Sequence, residues 1–252
     1  MSMLFDDGAP LALIVKRYIS QFDCNVIEEN IRELDIYQNY SFAPALPITK
    51  VGVLFGEACT VPQLMDEYFR SAIRSEQQLK KAFCSVRSPL SKLRDDLAKL
   101  WTNGTLVPEM GGRRMAPGTI RRTTAPGGIP KHADSLIDEY PSTSWTPRKE
   151  LVANVYIKCP SPGLGGELRI YSHSPTYVDD PGWRDRVSNI STQTEEALVN
   201  ASFVTIAPQA GDLIIFNGRN AHEVLPVHRG ERVSACCHIG FVSQEEPLHC
   251  WI

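Results

Sequence analysis
Past Gly104 the chain changes character, and this change limits its possible folds more than any other feature. Glycine and proline become frequent there, and apolar runs shorten to β-branched segments. Leu151 to Ile157, Glu167 to Tyr171, Phe203 to Ile206, Leu213 to Phe216 and Val233 to Val242 read as strands, separated by turns such as Pro162-Gly163 and Arg229-Gly230. A double-sheet jelly roll is one stable way to close so many short strands. The segment from Ser172 to Asn200 is polar, carries Asp179, Asp180, Asp185, Glu195 and Glu196, and interrupts the strand pattern, so it reads as an insertion or lid.

Before Gly104 the period is helical. Leu11, Ile14, Val15, Tyr18, Ile19 and Phe22 recur at three- and four-residue steps, which predicts an amphipathic helix from Leu11 to about Leu34. A second helix is expected from about Thr60, as its cap, to Phe83, with Leu64, Tyr68, Ile73 and Leu79 on its apolar face. Ser88-Pro89 pairs a cap with proline at the first helical position, opening a third helix that runs to Trp101 and stops near Asn103-Gly104. Lys50 to Phe55 reads as a short strand. The expected class is therefore α+β, a single domain in which a mainly helical part, residues 1–104, supports a β core, residues 105–252, with its insertion at 172–200.

Composition removes some function classes. A net charge of −3 offers no field for a phosphate backbone, so nucleic acid is not expected as a partner. The seven cysteines, at 24, 59, 84, 159, 236, 237 and 250, are odd in number and lack a CxxC pair. Neither a disulfide framework nor a thiolate zinc site follows, and a reducing cytoplasm fits. The apolar stretch from Ala9 to Val15 is broken by Pro10 and is too short to span a bilayer, so no signal peptide or membrane anchor is expected.

Lys131-His132-Ala133-Asp134 sets an imidazole and a carboxylate two residues apart, which on an extended strand points both to one face. An HxD is short and common, so a third ligand is needed. His222 supplies it, just after the turn and apolar strand Gly211-Asp212-Leu213-Ile214-Ile215-Phe216. Two histidines and a carboxylate on one face of iron leave positions open for a bidentate co-substrate and dioxygen. Ten residues beyond His222 stand Arg232 and Ser234, which on a strand can share one carboxylate partner. Asn154 and Tyr156 alternate on one face of the strand after HxD and can donate hydrogen bonds to the same ligand.

From Gly112 to Val242 these residues resemble the Fe(II)/2-oxoglutarate dioxygenases of double-stranded β-helix fold. His132-Ala133-Asp134, Gly165-Gly166-Glu167-Leu168, Gly211-Asp212 leading to His222, and Arg232-Val233-Ser234 match the family's elements in their order. The resemblance implies a cupin-like jelly-roll core with N-terminal helices packed on the major sheet. It further implies that His132, Asp134 and His222 bind Fe(II), and that Arg232 and Ser234 hold the far carboxylate of 2-oxoglutarate, with O2 as oxidant. Length and the helical N-terminal half look like the small-molecule branch that hydroxylates free or derivatised amino acids and also includes halogenases. In those halogenases Gly or Ala replaces the carboxylate ligand. Asp134 therefore points to hydroxylation of a C–H bond, while desaturation, cyclisation or epimerisation in specialised metabolism would use the same ligands. A cupin-like binding module without turnover is the alternative from another class, and a peptide-modifying oxygenase a third.

Other residues carry weaker expectations. Arg113, Arg114, Arg121 and Arg122 form a basic cluster whose plain reading is a solvated face, and of these Arg122 is taken with Trp145 as a substrate contact. His173, His228, His238 and His249 have no partner at ligand spacing and read as surface or satisfied core histidines. The partner expected is a small-molecule substrate, with no membrane and no nucleic acid, and with a homodimer left open.

Overall fold
A computed structural model describes residues 10–41, 44–134, 147–174 and 192–252. The chain opens with β1 (Ala12–Val15), α1 (Gln21–Leu34), β2 (Gln38–Asn39) and β3 (Ile48–Lys50). Three helices follow: α2 (Phe55–Thr60), α3 (Met65–Ala82), entered through a 3-10 turn at Pro62–Leu64, and α4 (Pro89–Leu100). Then come β4 (Thr105–Leu106), β5 (Glu109–Met110), β6 (Arg113–Arg114), β7 (Thr119–Thr124), β8 (Ile129–His132), β9 (Lys149–Lys158) and β10 (Leu168–Tyr171). The last elements are α5 (Thr192–Val199), β11 (Phe203–Ile206), β12 (Leu213–Asn217), β13 (His222–Val224), β14 (Glu231–Phe241) and β15 (Leu248–Trp251).

Two sheets form the jelly roll. The larger runs β1-β12-β9-β14-β7-β3-β2, with β15 added to β14 and β4 to β15; the smaller runs β11-β10-β13-β8. Between them lie Val152, Tyr156, Ile214 and Phe216 of the larger sheet and Leu168, Ile170 and Ile206 of the smaller. The opposite face of the larger sheet is covered by helices. Leu151, Ala153, Val155 and Ile157 of β9 and Val233, Ala235, Cys237 and Ile239 of β14 pack there against Ile27 and Ile31 of α1, Leu79 of α3 and Leu93 and Leu97 of α4. Strict alternation along β9 and β14 thus sends one set of side chains to the helices and the other into the barrel. The hairpin before β10 needs its glycines: at Gly165, φ is +85° and a Cβ would lie 1.8 Å from the carbonyl oxygen of Pro226.

The N-terminal elements differ from the expected helices in two places. Ala12 to Val15 form a strand beside β12, Ala12 opposite Phe216 and Val15 opposite Leu213, and the helix begins only after Ser20. Ser20 accepts from the backbone N–H of Asp23 while the Asp23 carboxylate accepts from that of Ser20, a reciprocal cap that fixes the start. β12 needs an edge partner, and the run Leu13-Ile14-Val15 supplies it. Thr60 is the last residue of α2 rather than the cap of α3, and its hydroxyl donates to the Gly56 carbonyl. Pro62 causes the break, because it has no N–H to donate and keeps Val61 out of helical conformation. The strand expected over Lys50 to Phe55 lies earlier, at Ile48–Lys50, since Phe55 opens α2. The helix from Pro89, capped by Ser88, runs to Leu100 as expected. Most of the segment 172–200 lies outside the described residues; its final turns form α5. Among the described residues no helix is long and apolar enough to cross a membrane.

Candidate metal centre
β8 and β13 are neighbours in the smaller sheet, and their register sets His132 directly opposite His222. The rings face the barrel interior with centroids 4.1 Å apart, and Phe216 of the larger sheet closes on His222 at 4.8 Å. Asp134 follows β8 and is held by its backbone N–H, which donates to the Gly218 carbonyl at 2.8 Å. One ligand atom from each of His132, Asp134 and His222 lies within 4.8 Å of the others. The Nε2 atoms stand 3.9 Å (His132) and 3.5 Å (His222) from the Asp134 carboxylate.

Each imidazole is oriented by the carbonyl two residues before it. His132 Nδ1 is 2.8 Å from the Pro130 oxygen and His222 Nδ1 is 2.8 Å from the Asn220 oxygen. A donor is required at both Nδ1 atoms, which leaves both Nε2 lone pairs aimed at the shared point, the tautomer a metal needs. Burial and the neighbouring His222 pull the His132 pKa down to about 4, favouring the neutral ligand form. Burial works against ionisation of Asp134, but the two imidazoles beside it outweigh burial and hold the carboxyl well below its usual range. A divalent transition ion fits this donor set of two imidazoles and a carboxylate.

Across the barrel, β14 points Arg232, Ser234, Cys236 and His238 inward. Arg232 is 3% exposed, its Nη2 donates to the Tyr156 hydroxyl at 2.9 Å, and its guanidinium lies 4.8 Å from the centre of that ring. Burial raises the Tyr156 pKa, so the phenol keeps its proton and can donate it onward. Neither Glu231 nor Glu223 neutralises Arg232, since they pair with Lys158 and Arg169. Arg232 Nε and the hydroxyl of Thr123, directly opposite on β7, are buried without a partner among the described residues. Two orphaned donors beside a protonated phenol and the buried Ser234 hydroxyl make a cradle for a carboxylate. Asn154 also faces the barrel and is 7% exposed.

The two substrate contacts expected from sequence fare differently. Arg122 turns away from the barrel: it pairs with Val233 in register, on the helix side, and stacks over Tyr37 at 4.2 Å. Its neighbour Arg121, opposite Ser234, is the residue that faces inward. The cluster was visible in sequence but its phase was not, because a run of Thr-Ile-Arg-Arg-Thr-Thr alternates nothing apolar except Ile120. Trp145 lies outside the described residues. Thr123 was missed as well, and only its register against Arg232 reveals it.

The family model of the carrier-protein-independent halogenase WelO5 matches residues 8–252. The chain belongs to this family. A curated relative, the L-gamma-glutamyl-L-propargylglycine hydroxylase of Streptantibioticus cattleyicolor, is 25% identical over 206 residues that cover 79% of this chain and 73% of the relative. Among solved structures, an N-substituted L-amino acid dioxygenase from Burkholderia ambifaria AMMD is similar at a TM-score of 0.63 and 14% identity, over 97% of this chain and 87% of that one. HygX from Streptomyces hygroscopicus, solved with nickel and 2-oxoglutarate bound, is similar at 0.50 and 14%, over 95% and 86%. These structural likenesses show that the double-stranded β-helix core of this WelO5-family chain is a shared fold.

Proposed function
We propose that this chain is an Fe(II)- and 2-oxoglutarate-dependent dioxygenase that hydroxylates an unactivated C–H bond of a free or derivatised amino acid. One observation carries the reading: the His132, Asp134 and His222 donors converge on one point while a buried, half-satisfied arginine, Arg232, waits across the barrel. In this reading the three side chains hold iron, and Arg232, Ser234, Tyr156 and Asn154 receive 2-oxoglutarate, with Thr123 beside them. When bound, iron and the 2-oxo acid supply the activation of O2, with succinate and carbon dioxide as co-products. The protein holds the ligand tautomers, excludes water with Phe216 and Val152, and places the substrate.

The relative from Streptantibioticus cattleyicolor is named a hydroxylase of a glutamyl amino acid, and the Burkholderia enzyme a dioxygenase of N-substituted amino acids. Both support an amino-acid substrate. The family takes its name from a halogenase, but Asp134 fills the coordination position that a halide would need, which supports hydroxylation. All seven cysteines are free thiols, in keeping with a reducing, cytoplasmic setting.

Anaerobic addition of Fe(II) and 2-oxoglutarate to the apo protein tests the reading. A weak visible charge-transfer band is expected in the wild type, lost in His132→Ala and weakened in Arg232→Ala. Iron binding without any such band would sink the dioxygenase reading and leave a metal-binding module.

A further inference from the structure
Beyond the metal and the 2-oxoglutarate cradle, one buried polar pair inside the barrel has no part in either. His238 Nδ1 lies 2.7 Å from Glu150 Oε1, and the two side chains are 12% and 4% exposed. The imidazole is stacked on Trp251, centroids 5.5 Å apart and planes 22° from parallel. Gly240, opposite Glu150 in register, makes that stack possible, because a Cβ there would come within 2.7 Å of the Trp251 ring. A glycine, an aromatic wall and a carboxylate thus hold one imidazole in one orientation.

Position gives the pair its meaning. His238 stands six residues beyond Arg232 on the same face of β14, about 20 Å at the usual strand rise of about 3.3 Å per residue. His238 is opposite Val152, and Val152 is opposite Phe216, the ring that touches His222, so His238 lies toward the metal-ligand end of β14, within electrostatic reach of Asp134. On the proposed reading the co-substrate reaches from the metal toward Arg232. The His238 side of the metal is then the side left for the substrate.

We infer that His238, oriented by Glu150 and Trp251, is the residue that receives the carboxylate of an amino-acid substrate. Nδ1 is engaged by Glu150, so Nε2 is the nitrogen left to meet a ligand, and among the described residues it has no hydrogen-bond partner. Burial disfavours the charged ring and Arg121 opposes it, but Glu150 and, at longer range, Asp134 hold the His238 pKa above its ordinary value. With Nδ1 paired to the Glu150 carboxylate at 2.7 Å, the protonated ring presents its Nε2–H as a charge-assisted donor for an anionic oxygen.

The test uses wild type, His238→Ala, His238→Gln and Glu150→Gln, each loaded anaerobically with Fe(II) and 2-oxoglutarate. The probes are the free L-amino acids and their γ-glutamyl derivatives, each beside its carboxamide. Binding is read as a shift of the charge-transfer band, and KM and kcat are then measured in air. Wild type should favour at least one acid over its amide by about 10- to 100-fold, the usual span for one charge-assisted hydrogen bond. His238→Ala should bring acid and amide together by raising KM for the acid, with the band itself and KM for 2-oxoglutarate unchanged. His238→Gln, a neutral donor of similar reach, should recover part of the preference. If His238→Ala does not fold, Glu150→Gln decides, and there the preference should shrink. Equal binding of acids and amides by wild type, or a preference that survives in these variants, would overturn the inference. A wild type without the band removes the dioxygenase reading itself, and this inference with it.

Discussion

The two faces of β9 and β14 are built from the same backbone and ask opposite things of their side chains. Toward the helices they present Leu151, Ala153, Val155, Val233, Ala235 and Ile239, an apolar surface fully matched by α1, α3 and α4. Toward the barrel they present Glu150, Asn154, Tyr156, Arg232, Ser234 and His238, polar groups buried at a cost that folding alone does not repay. One face makes the strands immobile; the other exploits that immobility to hold half-satisfied donors in place. Function and stability are thus separated by single-residue steps along one strand, and substitutions on neighbouring positions should separate them too.

The largest effect is expected at the ligands. Asp134→Ala removes the sole carboxylate of the set and should lower turnover by more than about 100-fold, since even partners that merely orient a ligand are worth about 10- to 100-fold. Unfolding of the apo protein should be displaced downward, because a carboxylate held below its usual range contributes to the stability of the folded state at neutral pH. A melt and an iron titration on the same sample check both halves.

On the opposite face, Leu151→Ala should cost about 3 kcal/mol of stability by emptying a site that is 1% exposed, seen as a lowered denaturant midpoint. KM for 2-oxoglutarate should remain at the wild-type value at temperatures where the variant is folded. Arg232→Ala should do the reverse, raising that KM by about 10- to 100-fold through loss of a charge-assisted donor set. If both variants changed KM alike, the two faces would not be functionally separate.

Much of this division could be read before any coordinates. The alternation of β9 and β14 is explicit in Leu-Val-Ala-Asn-Val-Tyr-Ile and Arg-Val-Ser-Ala-Cys-Cys-His-Ile-Gly, which sets Asn154 with Tyr156 and Arg232 with Ser234 on one face of each strand, as the register does. His132, Asp134 and His222 were legible because ligand chemistry restricts residue type and order. What was not legible depends on pairing between distant segments. Ala12 to Val15 has a helical spacing over its neighbours, yet the open edge of β12 takes it as a strand. His238 looks like any histidine until Glu150, eighty-eight residues away, is found beside it. Thr123 is an ordinary strand threonine until register sets it against Arg232.

The smallest effect is the sharpest on phase, and it concerns two adjacent arginines. Arg121 and Arg122 have the same charge and nearly the same sequence surroundings, but register puts one opposite Ser234 in the barrel and the other opposite Val233 beneath the helices. Arg122 lies over the Tyr37 ring at 4.2 Å, a cation–π contact on the helix side. Its replacement by alanine should cost about 0.5–1 kcal/mol of stability and leave kcat/KM within about twofold of wild type. Arg121→Ala should change kcat/KM by more than that, because its charge bears on His132 and His238 inside the barrel. Steady-state kinetics of the two single variants, with a thermal melt of each, check the assignment: an Arg122→Ala variant with the larger kinetic defect would mean that β7 is set one residue out of phase, with every inward side chain of that strand exchanged for its neighbour.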